Sequence, residues 1–599
     1  MLSPEILGRT FADAPDPDLA RIAFSRVGDQ PEARELLARE DILPVAARLL
    51  GFSTAAADLL VRHPGEAAAL ADVSARSRVR LDTELAAEVE RRGTADGLRV
   101  FRRRAMMRIA ARDLGDASLD EIVAEISHVA EACLEVAVRE AAEGARIAVI
   151  GLGKLGGAEL NYASDVDLLF LHEDVEAEQA ERIVARLIAL LAEPTADGIA
   201  LRVDPTLRPG GRSGSLSLTL DSTLEYYESR SATWERQAMI KARGVAGDPW
   251  LGSAFVEGVT PFVYPAHLAP SAIDEVRRTK VRLEEYIRQR GKELTEVKRG
   301  RGGIRDVEFA VQLLQIVHGR RDPVLREPNT LRALTALTQQ GFVATDDAED
   351  LAEAYRFLRT LEHRLQIVRD LQTHDLPADP RARTTLARSL GMADAAELQR
   401  TYDATTAEVR TIHERLFYRP LLEAFAGPAV PSPGVDRAAT EELLGGLGFA
   451  SPARSYEVLR RLVDPATRIG KVLTNVFPVM VPQLALAPDP DGALVRLERI
   501  ADAVGDGHGP ADILAGDPAA ARRLAAVAGA SSFSTDLLAT DPGRMVALTD
   551  VGVGRGSPRA TDARGDLVGA VARAATGELL SHQTGAALTE VAERVVREA

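Results

Sequence analysis

RIAVIGLGKLGGAELNYASDVDLLFLH, from Arg146 to His172, is the stretch whose reading decides the fold. Ile147–Ile150 and Val166–Leu171 are short apolar runs of the length of buried strands. Between them lie a glycine-rich turn and a small polar segment. Residues two apart in a strand point to the same face. Asp165 and Asp167 are therefore expected to project together, in front of a loop whose Gly156 and Gly157 leave backbone N–H groups free. Two carboxylates beside a glycine-rich turn suit a metal-bound phosphate.

Three readings compete. Gly151-x-Gly153-x-x-Gly156 after a strand matches a dinucleotide-binding fingerprint. A parallel crossover, however, needs roughly a dozen residues or more, usually a helix. Only Ala158–Asp165 separate the glycines from the next strand. The second reading is a solvated Asp-x-Asp at a strand entrance. The third is a nucleotidyltransferase core, where a Gly-Gly turn precedes an Asp-x-Asp strand and a later strand adds a third carboxylate. Asp204, at the end of the apolar run Ala200–Val203, fits that place.

Four ordered motifs make the third reading specific: GKLGGAELNYASDVDLLF (153–170), RVDPTLRPGGRSG (202–214), TWERQAMIKAR (233–243) and GRGGIRDVEF (300–309). Together they resemble the adenylyl-removing half of the glutamine synthetase adenylyltransferase/adenylyl-removing enzymes, over residues 95–420 and more loosely beyond. The resemblance implies an N-terminal domain that uses phosphate to remove AMP from a tyrosine of glutamine synthetase, releasing ADP. A second domain in that family attaches AMP from ATP. Glu159-Leu160-Asn161, Val203-Asp204 and Gly303-Ile304-Arg305 look like the removing half. In one departure, Pro205 and Thr206 stand where the family often has an arginine.

Phosphoryl-type transfer depends on charge neutralisation more than on covalent help. Asp165, Asp167 and Asp204 are accordingly expected to be catalytic and to hold two Mg²⁺ ions, or Mn²⁺, which accepts the same hard oxygen donors. Gly156, Gly157 and Ser164 are expected to cradle phosphates, with Lys154 adding positive charge. The resemblance also points Arg208, Lys241, Arg243 and Arg305 towards phosphate or nucleotide. It implies glutamine synthetase, ATP/ADP, inorganic phosphate and a PII-type signal protein as partners. The alternative, motivated by Pro205-Thr206, is a non-catalytic docking module that senses a PII-type protein and gates a transferase. A weaker alternative is a transferase acting on another protein or small molecule.

The remainder of the chain frames this core. With 599 residues, 46% hydrophobic but only 4% aromatic, the composition favours several helical domains. The expected fold is α+β and predominantly helical: a small mixed sheet flanked by helices, followed by helical bundles. A net charge of −16 disfavours nucleic-acid and membrane attraction. Cys133, the sole cysteine, allows no disulfide within the chain and suits a reducing cytoplasm. The N-terminus has no basic region followed by an apolar core, so no signal peptide is expected. No apolar run approaches the length of a membrane span.

The expected divisions are a helical region (1–120), a catalytic domain (121–290), a helical bundle (291–426), a Pro/Gly-rich linker (427–440) and a second helical region (441–599). Residues 98–115 are basic and amphipathic, either a solvated arginine face or a surface for phosphate or an acidic partner. Arg301 and Arg305 are expected to hold phosphate where 298–319 enters a helix. There Asp306 and Glu308 suit the helix dipole. Leu351, Tyr355, Leu358, Leu361, Leu365, Val368 and Leu371 form a bundle seam. His363, off that seam, is structural or exposed. An internal repeat relates DLLVRHPGEAAALADV (58–73) to DLLATDPGRMVALTDV (536–551), and Val138–Ala141 to Val596–Ala599. On this reading the chain stops where a second catalytic loop would begin.

Overall fold

The computed structural model describes residues 4–425 apart from 232, 266–291 and 293–294; then 437, 441, 444–445, 448–549 apart from 465, 486 and 506, 563–576 and 587–589. The chain divides into two compact units, Met1–Leu268 with Arg278–Arg410, and Ala269–Arg277 with Thr411–Ala599. The expected linker lies outside the described residues except for Arg437. So does the Val596–Ala599 match.

The first unit is α+β and mostly helical. Its sheet contains β1 (Arg146–Gly151), β2 (Val166–Glu173), β3 (Val203–Asp204), β4 (Ser217–Thr219) and β5 (Arg243–Gly247). The order is β3-β2-β1-β5, with β4 also pairing β2. β1 and β2 run antiparallel, from Arg146↔Glu173 to Gly151↔Leu168. This is what a connection too short for a crossover requires. The helix Ala177–Ala192 provides the longer crossover from β2 to β3, and that pair is parallel, with Val166 opposite Val203 and Asp167 opposite Asp204. Ala148, Ile150, Leu169 and Leu171 pack with Leu251, Phe255 and Val259 of the helix Pro249–Val263. β4 and β5 were not foreseen. Arg243, expected to follow Trp234 and Lys241 within one helical stretch, instead opens β5 opposite Gly151.

The arginine-rich segment becomes the helix Thr94–Asp113. Several of its arginines are neither solvated nor open to an anion. Arg108 pairs with Glu125, and Arg104 with Glu66 and Glu88. Arg99 is 1% exposed and donates to the carbonyls of Gly198 (2.9 Å) and Leu190 (3.0 Å). The charges balance inside the unit, so helical amphipathicity alone could not reveal their direction.

The expected seam lies on the helix Thr345–Ile367, where Leu351, Tyr355, Leu358, Leu361 and Leu365 are buried. Its last expected member fails: Leu371 is 53% exposed. The helix has ended by then, and Asp370 takes a left-handed φ of 50°. His363 is fully buried and structural, with Nδ1 2.9 Å from Asp113 and Nε2 3.2 Å from Asn161. Burial, opposed by Asp113, lowers its pKa.

The second unit is helical throughout its described residues, around a core that includes Leu459, Leu473, Met480, Leu497, Leu524 and Leu538. The sequence repeat is a structural one. The helix Thr54–Arg62 leads into the 3-10 turn Pro64–Leu70, and the helix Ser532–Thr540 into Pro542–Leu548. Both helices begin at a capping serine: Ser53 Oγ accepts from Ala56 N, and Ser531 Oγ from Ser534 N. Ser53 Oγ also donates to the Ile367 carbonyl at 2.7 Å. Losing a cap and a buried hydrogen bond together costs about 2 kcal/mol. Ser53→Ala is expected to lower the urea midpoint of the first unit accordingly. An unchanged midpoint would show that the serine contributes only to local geometry.

Among the described residues no single helix is long and apolar enough to cross a bilayer.

Candidate active site

β2 and β3 build the centre of the site. Their pairing sets Asp167 beside Asp204, while Asp165 lies one residue before β2. Burial pushes the Asp167 carboxyl up to about 6, and the Asp204 and Asp165 carboxylates push the same way against Lys298 and Lys154. Close like charges of this kind disfavour ionisation. Asp204 Oδ1 accepts from both Thr206 N (2.9 Å) and Thr206 Oγ1 (2.6 Å). Thr206, standing where the family resemblance suggested an arginine, therefore orients a carboxylate. Gln372 Nε2 donates to Asp165 Oδ2 at 3.3 Å.

The glycines play different parts from those expected. Residues 153–156 wind into one helical turn, with Gly156 N donating to Leu152 O and Gly157 N to Gly153 O. Those two N–H groups are thus engaged within the turn. Gly156 is required for packing: a Cβ there would lie 1.8 Å from the Lys241 carbonyl oxygen. Gly153 is the glycine facing the carboxylates. It has φ +52°, and a Cβ there would come within 2.6 Å of Asp167 Oδ2.

The other expected phosphate ligands hold the framework. Lys241 Nζ is bound by Glu159 and lies 2.9 Å from Thr330 Oγ1. Arg243 Nε donates to Gly156 O and its Nη2 to Leu155 O, with Glu131 balancing the charge. Arg208 donates to the carbonyls of Pro205, Arg212 and Gly214. Arg305 lies over the Phe309 ring, and burial lowers its pKa. Ser164 Oγ accepts from Asn161 N. The Lys154 charge acts on Asp167, its Nζ lies 3.2 Å from Glu362, and burial lowers its pKa to about 7.

A buried polar network behind the carboxylates escaped the sequence reading. Glu362 is 0% exposed and lies 3.3 Å from Arg359 and 3.0 Å from His374, as well as against Lys154. Arg359 donates to Glu159 O (2.6 Å) and Asn161 Oδ1, and Gln366 accepts from Ala163 N (3.0 Å). The helix Thr345–Ile367 thereby grips the loop leading to Asp165. Lys298, two residues before the GRGGIRDVEF motif, opposes the carboxylate charge on Asp167. The available signal was that motif and the cluster RTLEHRLQ (359–366) inside an apolar seam.

The donor set fits a hard divalent cation in one particular way. Among the described residues no three His, Cys, Asp or Glu side chains converge to hold a metal by themselves. A self-sufficient three-aspartate cage is therefore not what the strands build. Mg²⁺ commonly binds through one or two carboxylates plus substrate phosphates and waters, and the adjacent Asp167 and Asp204, with Asp165 nearby, are the residues that would hold it. A raised carboxyl pKa stabilises the fold below the unfolded value of about 3.9, and that contribution is lost as pH rises through about 6. In metal-free protein the Asp167 carboxyl resonance is expected to titrate near that value, and Mg²⁺ is expected to move the transition downward. A titration indifferent to saturating Mg²⁺ would remove Asp167 from the shell.

Compared with known proteins, residues 45–258 match the family described as glutamate-ammonia ligase adenylyltransferase, and residues 277–417 match GlnD PII-uridylyltransferase. A bifunctional glutamine synthetase adenylyltransferase/adenylyl-removing enzyme of Streptomyces avermitilis is 39% identical over 96% of this chain and 60% of its own length. Proteins of the same name from Mycobacterium avium and Cutibacterium acnes are 36% and 34% identical, over 91% and 89% of this chain and 57% and 58% of theirs. The chain thus spans about 60% of the length of the curated relatives it matches.

Proposed function

We propose that this chain, whose residues 45–258 match the glutamate-ammonia ligase adenylyltransferase family, removes AMP from adenylyl-tyrosine of glutamine synthetase by phosphorolysis. A phosphate oxygen bonds to the adenylyl phosphorus, the phosphorus–tyrosine oxygen bond breaks, the tyrosine oxygen recovers a proton, and ADP leaves. The observation that carries the reading is the register of Asp167 with Asp204 on parallel strands, with Asp165 at the entrance of the first. The removing direction is supported by Glu159-Leu160-Asn161, Val203-Asp204 and Gly303-Ile304-Arg305.

Mg²⁺, when bound, would neutralise phosphate charge at these carboxylates. Thr206 holds Asp204 in one orientation. Gly153 leaves the space beside Asp167 that any side chain would fill. Lys154 and Lys298 bring positive charge towards Asp167. Positioning and charge compensation of this kind are the main requirements of phosphoryl-type chemistry.

The test is incubation with adenylylated glutamine synthetase, Mg²⁺ and phosphate while following ADP. Phosphate-dependent ADP, lost in Asp165→Ala, supports the reading. No ADP from a folded protein that binds Mg²⁺ refutes catalysis by this chain alone. The match of residues 277–417 to GlnD PII-uridylyltransferase favours a second, regulatory reading. On that reading the helical part of the first unit responds to a PII-type protein and gates nucleotidyl transfer.

A further inference from the structure

Strand alternation gives the Asp-x-Asp segment two faces. Asp165 and Asp167 belong to one; Ser164 and Val166 line a cavity of about 240 Å³ on the other. Its polar lining includes Arg102, Arg103, Arg202 and Asn161 together with the carboxylates of Asp197 and Asp370; its apolar wall includes Met106, Ile126, Val129 and Ala130. The neighbouring Arg103 is already engaged by Asp197 and Glu66. Arg102 and Arg202 differ from it, since both donate to backbone carbonyls: Arg102 to Tyr162 O and Arg202 to Ala163 O, each at 3.1 Å. The carboxylate nearest Arg102 is Asp370, 3.9 Å away and half exposed. Asn161 is 3% exposed, and its Oδ1 accepts from Arg359. Its buried Nδ2 has no hydrogen-bond partner. A buried amide donor without a partner is unfavourable until an acceptor reaches it.

We propose that this cavity binds a small organic carboxylate. The guanidinium groups match a carboxylate with forked, charge-assisted hydrogen bonds. The apolar wall accepts a short carbon stem, and Asn161 Nδ2 gains an acceptor. The volume lies below the usual range for drug-sized ligands, roughly 300–1,000 Å³, which favours a small ligand. The site stands independently of the reaction proposed above. It is tied to that reaction's strand because both arginines hold the backbone just before Asp165.

Succinate is the probe, measured by titration calorimetry on the full chain. Saturable binding is expected. Arg202→Gln is expected to weaken it at least about tenfold, the loss of one charge-assisted contact. Ala130→Phe fills the apolar side without changing charge and is expected to abolish it, with circular dichroism confirming that both variants fold. Inorganic phosphate, which has charge but no stem, is expected to compete poorly. Absence of succinate binding, or binding undiminished in both folded variants, overturns the proposal. So does phosphate binding as tightly as succinate.

Discussion

Asp167→Asn is expected to lower phosphate-dependent ADP release about a thousandfold, because charge stabilisation at such a centre contributes several kcal/mol to the barrier. The same substitution is expected to make the metal-free protein more stable at pH 8. With its pKa pushed up to about 6, the ionised Asp167 opposes folding at that pH by on the order of 3 kcal/mol. Asparagine removes the charge while keeping the volume. Below pH 4 the native carboxyl is already protonated, and the gain should vanish. Melting curves at pH 8 and pH 4 make the comparison. An equal effect at both would mean that the Asp167 carboxyl is not raised in the folded state.

The second large effect belongs to Glu362. Its carboxylate is fully buried, and despite burial Lys154, His374 and Arg359 hold its pKa well below the usual range. Glu362→Gln keeps the shape and removes the charge. Two buried cations then lose their shared counter-ion, and breaking one side of such a cluster costs about 3–5 kcal/mol. A depressed carboxyl contributes stability above its unfolded pKa, lost as pH falls through the lower folded value. The deficit should therefore be full at neutral pH. Urea unfolding measures it, and an unchanged midpoint would show that the cations are compensated elsewhere. Lys154, already lowered to about 7, would lose proton affinity as well. Its charge beside Asp167 would then fade at a lower pH than in the native protein.

Local periodicity made much of the centre legible. Two apolar runs and an interval too short for a crossover specified an antiparallel pair. The two-residue repeat placed Asp165 and Asp167, and the next apolar run supplied Asp204. What stayed hidden depends on contacts between distant residues. Gly156 reads equally well as a phosphate cradle or as a packing glycine, and only its approach to the Lys241 carbonyl decides. Lys241 and Arg243 look like ligands in a motif until Glu159 and Glu131, far away in sequence, occupy them. β4 and β5 are too short and too polar to announce themselves. Glu362 was hidden because charged residues on a bundle helix ordinarily face water.

The grip of Thr345–Ile367 on the loop before Asp165 also has a consequence for motion. Arg359, His363 and Gln366 attach to Glu159, Asn161 and Ala163. A loop fastened in this way has no private route of opening. Local fluctuations expose an amide only at the free energy of the structure that must separate with it. The Ala163 amide, donated to Gln366, should therefore exchange with deuterium as slowly as the interior of that helix. The loop before Asp165 and the bundle would then open as one cooperative block.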